Sequence, residues 1–585
     1  MKRTESLYRT AALLLLLMLA AACTRDDTFD DAAPGNAADP AAALTITVTD
    51  GTYAPETSAA NAATDDGAPV TRSVENGYAT RFTKGDQIGL YVAEATLGNN
   101  GSPAQFSRML HENLCLTYNG KSWKLPSDTK LKYDPTAGHG ILYFAYYPYQ
   151  ADMNDKKPDG NNASGNVATE APDFFHTLIS KWEPRDDQST YATYTASDLM
   201  VARGTVANRT DGFPGSLLNF KMQHQMLLNI VRLPHITSTY TEKINGSQQT
   251  KSYYLYTGVA RVPNFWMENP HTARLITNPS GEAKNITDCS YYDLKFVKHE
   301  FDIEIPDADD LRGKYKTYTV DNATETKSDR APQEGDFYMK DGTVLPQETF
   351  KDSNMPQNVK DDCIGVIFWV GEKDGTHWTQ TEHMEGDHLM MDEHPACTHG
   401  MVVALTDAAS DVVWATKPED GNTLWEWAYD FAQGFTDNEN SLWKMVFASD
   451  SYYGYAYSVL FGLYTAHNEG ADFPAFKAVK NYADSHSTPE GCSGWFFPNR
   501  RELATMWFDA PVNYPEHNTE LIMFNKINPQ IEKANGAKLE GLYWSSSDYK
   551  TETAWTVNSE YPGFGSIYNL KSQTEACKVR AVLAF

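Results

Sequence analysis

The chain has 585 residues, with 49 Lys and Arg against 77 Asp and Glu and a formal net charge of −28. At about 150 residues per domain that leaves room for three or four domains, each able to bury a core without metal or disulfide staples. So acidic a chain, with no basic cluster to offset the excess, repels phosphate backbones and excludes a nucleic-acid partner, while 41% hydrophobic residues and 33 Tyr, 26 Phe and 13 Trp exclude a disordered chain.

The amino-terminal stretch carries Lys2, Arg3 and Arg9 and then an unbroken apolar run from Ala11 to Ala22. A bilayer span needs about 20 apolar residues, so this shorter run reads as the core of a signal peptide, residues 1–22. It ends Leu19-Ala20-Ala21-Ala22-Cys23, which resembles a bacterial lipobox. The resemblance implies that Cys23 takes a lipid and holds the chain at the outer membrane. Asp26, Asp27, Asp30 and Asp31 follow and resemble the export signal of surface lipoproteins in the Bacteroidetes. They read equally well as the start of a flexible Ala/Pro/Gly/Asp tether running to about residue 43.

From Leu44 the pattern changes. Leu44 to Thr49 alternates apolar residues with Thr, a strand signature. A soft segment, 50–70, leads to Thr71-Arg72-Ser73. Phe82 to Val92 predicts a strand, a Lys84-Gly85-Asp86 turn and a second strand. Further strands are expected at Leu114–Tyr118, around Trp123, from Ile141 to Tyr149 and within Leu217–Leu233. Helical periodicity is missing to about residue 355, so this region reads as all-β, in two sandwich-like domains. Composition then shifts: ten of the 13 Trp lie after residue 360. Helices are expected over 473–483, 499–508 and 521–535, and the last 45 residues return to strands, giving an α+β domain over 357–585.

Six cysteines follow Cys23: Cys115, Cys289, Cys363, Cys397, Cys492 and Cys577. None forms a CxxC pair, which excludes zinc ribbons and thioredoxin-type motifs. Cys492 and Cys577 share one late region and are the first candidate disulfide of an exported chain, although spacing leaves the connectivity open.

The first part resembles a fimbrillin-family (type V) pilin of the Bacteroidales. The resemblance rests on the lipobox, the Thr71-Arg72 step, the phrase Phe82–Val92, and Asp198-Leu199-Met200 followed by Phe220-Lys221-Met222-Gln223-His224. It implies two β-sandwich-like domains, export as a lipoprotein, and protease cleavage between Arg72 and Ser73, with Arg81 as the second choice. Cleavage would release the first strand and open a groove for a strand donated by a stalk or adaptor pilin.

The last part resembles the carboxyl-terminal domain of a Legionella collagen-like adhesin, which is C-type-lectin-like. It does so through Gly494-Trp495-Phe496-Phe497-Pro498-Asn499, Arg501-Glu502-Leu503, Tyr543-Trp544-Ser545-Ser546-Ser547, Trp555 and Val579-Arg580-Ala581-Val582. The Glu-Pro-Asn type of motif used for calcium-dependent sugar binding is missing, and no cofactor is expected. Loops between Tyr543 and Tyr568 are the expected contact region for a host glycan or protein, through Trp544, Ser545, Ser546, Tyr549, Asn558 and Tyr561. The same aromatics read equally as core.

The stretch His377–His399 is rich in His and carboxylates, with His383, Asp387 and His388 as the metal candidates. Its spacing matches neither HExxH nor a zinc finger, so a structural role is expected. No GxSxG, GxGxxG or Walker loop is present, and an enzyme is not expected. The reading is therefore mainly β: residues 1–22 signal peptide, 23–72 tether and removable segment, 73–203 and 204–356 two fimbrillin β domains, and 357–585 a C-type-lectin-like adhesive domain. The function expected is a fimbrial tip subunit at the outer-membrane surface; a cell-surface glycan-binding lipoprotein that does not polymerise is the alternative.

Overall fold

The computed structural model describes residues 44–55, 78, 82–127, 129, 131, 138–208, 216–244, 247–293, 295–307, 309–373, 376–377, 387–416, 452–467, 472–508, 522–550, 552–558, 566–570, 572 and 577–585. The fold is mainly β. Among the described residues no helix is long and apolar enough to cross a membrane.

Seven strands make the first sheet, in the order Leu44–Gly51, Ser216–His224, Met200–Asn208, His139–Tyr147, Gln87–Leu97, Pro103–Tyr118 and Trp123–Lys124. Its two end strands touch, so the sheet curls around a core of Ile46, Ile88, Leu90, Leu116, Trp123, Leu218, Phe220 and Met222. Short helices at Ala171–Phe174, His176–Ser180 and Tyr191–Thr195, unforeseen from sequence, cover the other face with Phe174, Phe175, Leu178 and Tyr194. Burial on both faces explains why Gln87–Leu97 reads as nearly continuous apolar sequence. Phe82 lies before the strand that starts at Gln87; instead of pairing, it packs edge-on against Trp123 and Tyr147 at 5.3 Å each.

A five-stranded sheet follows, ordered Trp266–Asn269, Thr272–Thr277, Leu227–Arg232, Lys314–Thr319, Ala54–Pro55. The expected division at 203/204 falls inside the strand Met200–Asn208, and the first sheet keeps the chain as far as His224.

The third sheet has eight strands: Glu325–Ser328, His235–Ile244, Ser247–Leu255, Val344–Leu345, Phe337–Met339, Cys363–Val370, Gly400–Ala404 and Val582–Ala584. It runs straight through the expected boundary at 356/357, because Phe337–Met339 pairs with Cys363–Val370. Alternate residues feed two cores. Ile367, Val402 and Leu583 meet the helices Gly454–His467 and Pro474–Ser485, whereas Val366, Phe368, Val403 and Val582 meet Arg500–Phe508 and Ile522–Lys533. A four-stranded sheet, Ser566–Leu570, Thr553–Asn558, Leu542–Lys550 and Cys577–Lys578, closes this region.

Candidate functional site

The edge strand Leu44–Gly51 lies parallel to Ser216–His224, in register from Leu44 opposite Ser216 to Gly51 opposite Gln223. Its period of two turns Leu44, Ile46, Val48 and Asp50 toward the sheet's interior, where Ser216, Leu218, Phe220, Met222 and His224 also point. Each well-buried aliphatic side chain on that face contributes about 1.5–3 kcal/mol. The chain then crosses to the second sheet. Tyr53 is buried, Ala54 and Pro55 pair with Lys314 and Tyr315, and the Ala54 amide donates to the Gly313 carbonyl at 3.0 Å. Twelve residues, 44–55, thus line the edges of two sheets at once.

At the end of the strand a polar cluster interrupts the apolar row. His224 is held between two carboxylates, with Nδ1 at 2.9 Å from Asp198 and Nε2 at 3.1 Å from Asp50. The Tyr53 hydroxyl donates to Asp198 at 2.7 Å, and its ring stacks on His224 with centroids 3.7 Å apart. The His224 and Asp198 side chains are 1% and 3% exposed, and that of Asp50 is 6% exposed. Burial alone pulls the imidazole toward neutrality, but Asp198 and Asp50 outweigh it and push its pKa up to about 10. The histidine is therefore a cation at neutral pH. Sequence reading set Asp198 and His224 inside separate family marks; their partnership with Asp50 and Tyr53 is visible only in the fold. A polar residue at an inward position of an alternating strand was the available signal. Cys23, Arg72, Ser73 and Arg81 lie outside the described residues.

The carboxyl-terminal region corrects several expectations. Trp544, Ser545 and Ser546 are fully buried and present no surface to a ligand. The Trp544 indole donates to the Val412 carbonyl and the Trp414 indole to the Ser545 carbonyl, both at 2.8 Å, while the Ser546 amide donates to the Pro498 carbonyl at 2.9 Å. They tie the Leu542–Lys550 strand to its neighbours. Asn558 is also buried. Tyr561 and the side chain of Tyr549 lie outside the described residues. Cys492 and Cys577 are separate free thiols in the interior, Cys492 donating to the Pro489 carbonyl at 3.2 Å, so the expected disulfide is not formed.

Asp387 is fully committed. As the N-cap of the helix His388–Glu393 it accepts the Met390 amide at 3.0 Å, and its other oxygen accepts the Ala456 amide at 2.8 Å. Glu502 does the matching task beside it. It accepts the Asn499 amide at 2.8 Å and the Gly454 amide at 3.1 Å, while Asn499 caps Glu502 in return at 2.9 Å. Two buried carboxyls thus cap the first turn of the Gly454–His467 helix. Burial raises both, Asp387 to about 7 and Glu502 to about 8. His394 pairs with the Tyr455 hydroxyl and His399 with that of Tyr240, each at 2.9 Å. His383 and the side chain of His388 lie outside the described residues. Among the described residues no three His, Cys, Asp or Glu side chains group to hold a metal.

Residues 44–55 thus bridge the edges of two sheets, and helices flank the third. Residues 71–360 match the fimbrillin-like family. The chain is also 26% identical over 542 residues to a Bacteroides ovatus protein named "Putative fimbrium tip subunit Fim1C", covering 86% of this chain and 89% of that one. Its fold is shared with the crystal structure of a fimbrial protein from Bacteroides ovatus, with a TM-score of 0.50 and 22% identity over 93% of this chain and 99% of that one. The fimbrillin-like segment takes in Asp198 and His224, whereas Asp50 and Tyr53 precede it. The histidine cluster thus joins that segment to the strand in front of it.

Proposed function

We propose that the protein is the terminal subunit of a fimbrium and that its carboxyl-terminal region is adhesive. In this reading Cys23 takes the lipid that delivers the chain to the outer membrane. Cleavage after Arg72 leaves Ser73 as the mature first residue, and residues 44–55 give up the groove to a β-strand from a stalk or adaptor pilin. The observation that carries the reading is the Leu44–Pro55 segment. It lies along an edge of two sheets and precedes the fimbrillin-like segment that begins at 71.

The terminal position has its own support in the relative named as a fimbrium tip subunit. Adhesion falls to the C-type-lectin-like region from 357 onward, with Tyr549 and Tyr561 as the contact residues for a host glycan or protein. Immunogold labelling with an antibody against residues 357–585 tests the placement: gold at the distal ends of fimbriae is expected, and gold along the shafts would contradict it. Cys23→Ala is expected to abolish radiolabelled palmitate incorporation; label persisting in that variant would remove the lipid anchor.

A further inference from the structure

The first strand is apolar at three inward positions, Leu44, Ile46 and Val48, and acidic at the fourth, Asp50. The acid sits where the groove's own wall carries a buried histidine already held by Asp198 on its other nitrogen. Gly51 follows, and a Cβ there would lie 2.4 Å from the Met222 carbonyl oxygen. An apolar residue in place of Asp50 would leave one N–H of a buried cation facing hydrocarbon, and a larger residue in place of Gly51 would collide with backbone. The groove therefore holds more information than an apolar trough.

We infer that the strand replacing residues 44–55 is selected by charge as well as by shape. The groove takes a pilin segment with three apolar residues at alternate positions, then, two residues after the third, an Asp or Glu that faces His224, and then a glycine. This rests on the strand-exchange reading above. It goes beyond that reading in naming the chemistry of the partner strand, and it makes the Asp198–His224 pair the reader of that chemistry. A pilin strand that is apolar at all four inward positions is rejected, which discriminates between donors of equal hydrophobicity.

The test uses the full chain, cut by limited digestion with an Arg-specific protease, and synthetic peptides of the sequence of residues 44–55. Uptake of peptide and loss of the native fragment are followed by mass spectrometry. The native peptide is expected to enter the groove, and its Asp50→Leu and Asp50→Asn versions to bind at least about tenfold more weakly at pH 7. With a His224→Met protein the preference is expected to reverse toward the Asp50→Leu peptide. Should that variant misfold, the peptide series on the unaltered protein decides alone. Equal uptake of all three peptides would overturn the charge selection while leaving strand exchange standing. Uptake of none, with the native fragment retained, would overturn strand exchange and the selection with it.

Discussion

His224 is the residue on which the first strand turns. Asp50→Asn in the intact chain removes one of its two carboxylates and leaves the imidazole pinned by Asp198 alone. A loss of about 2–3 kcal/mol is expected in urea unfolding, below the 3–5 of an entirely broken buried pair because Asp198 remains. The pH dependence has a definite sign. The folded pKa is pushed from the ordinary 6.5 to about 10, so the stabilisation is complete below 6.5 and is lost as pH rises toward 10. The Asp50→Asn variant is expected to show a flatter loss over that window; parallel profiles would contradict the cluster. Arg580 is a second buried cation. Its guanidinium donates to the Ala404 carbonyl at 3.0 Å and the Ala537 carbonyl at 2.8 Å, and Nε lies 2.7 Å from Asp407. Arg580→Met is expected to cost less than Arg580→Ala, whose penalty is about 3–5 kcal/mol, because the flexible thioether refills the space. Sequence reading placed Arg580 in a family mark, yet which oxygens it satisfies depends on three segments that only folding brings together.

Among the elements, those with one clear apolar period were legible. The helix expected over 473–483 is found at Pro474–Ser485, and the strand at 44–49 extends to Gly51. The Gly454–His467 helix escaped because its apolar residues circle the axis, some of them buried against the third sheet, and no stripe separates it from a loop. Its start is also capped from outside, by Asp387 and Glu502, and the residue directly before it is Tyr453, not a capping Ser, Thr, Asp or Asn. Glu502→Gln keeps one acceptor oxygen and turns an amino group toward the other backbone amide, so it is expected to lower the melting temperature at pH 4, though less than Glu502→Ala does. Glu502→Ala strands two amides and is expected to cost about 2 kcal/mol by thermal unfolding. A carboxyl raised from 4.5 to about 8 favours folding below its ordinary value and loses that contribution as pH rises through 8. The Gln variant, which does not titrate, is therefore expected to show a flatter stability profile than the parent between pH 4.5 and 8.

For the molecule as a whole, the sheet that crosses 356/357 changes how its parts can be studied. A chain beginning at residue 357 leaves the Cys363–Val370 strand without Phe337–Met339 and opens an apolar edge. Such a fragment is expected to elute as aggregates in size-exclusion chromatography; a monodisperse monomer would contradict the continuity of the sheet. The mainly β character could be read from the alternation of apolar and polar residues. The path of the sheets could not, because Met200–Asn208 spans the expected division at 203/204, and the composition shift near 360 falls inside a continuous sheet that pairs Phe337–Met339 with Cys363–Val370. The first strand was legible ahead of Arg72, while the span of residues 44–55 across two sheets required the structure. In the proposed assembly this first strand gives way to another subunit's, and sequencing the amino terminus of the protein recovered from purified fimbriae decides it. Ser73 is the result expected; Cys23 retained in assembled fimbriae would contradict release of the strand.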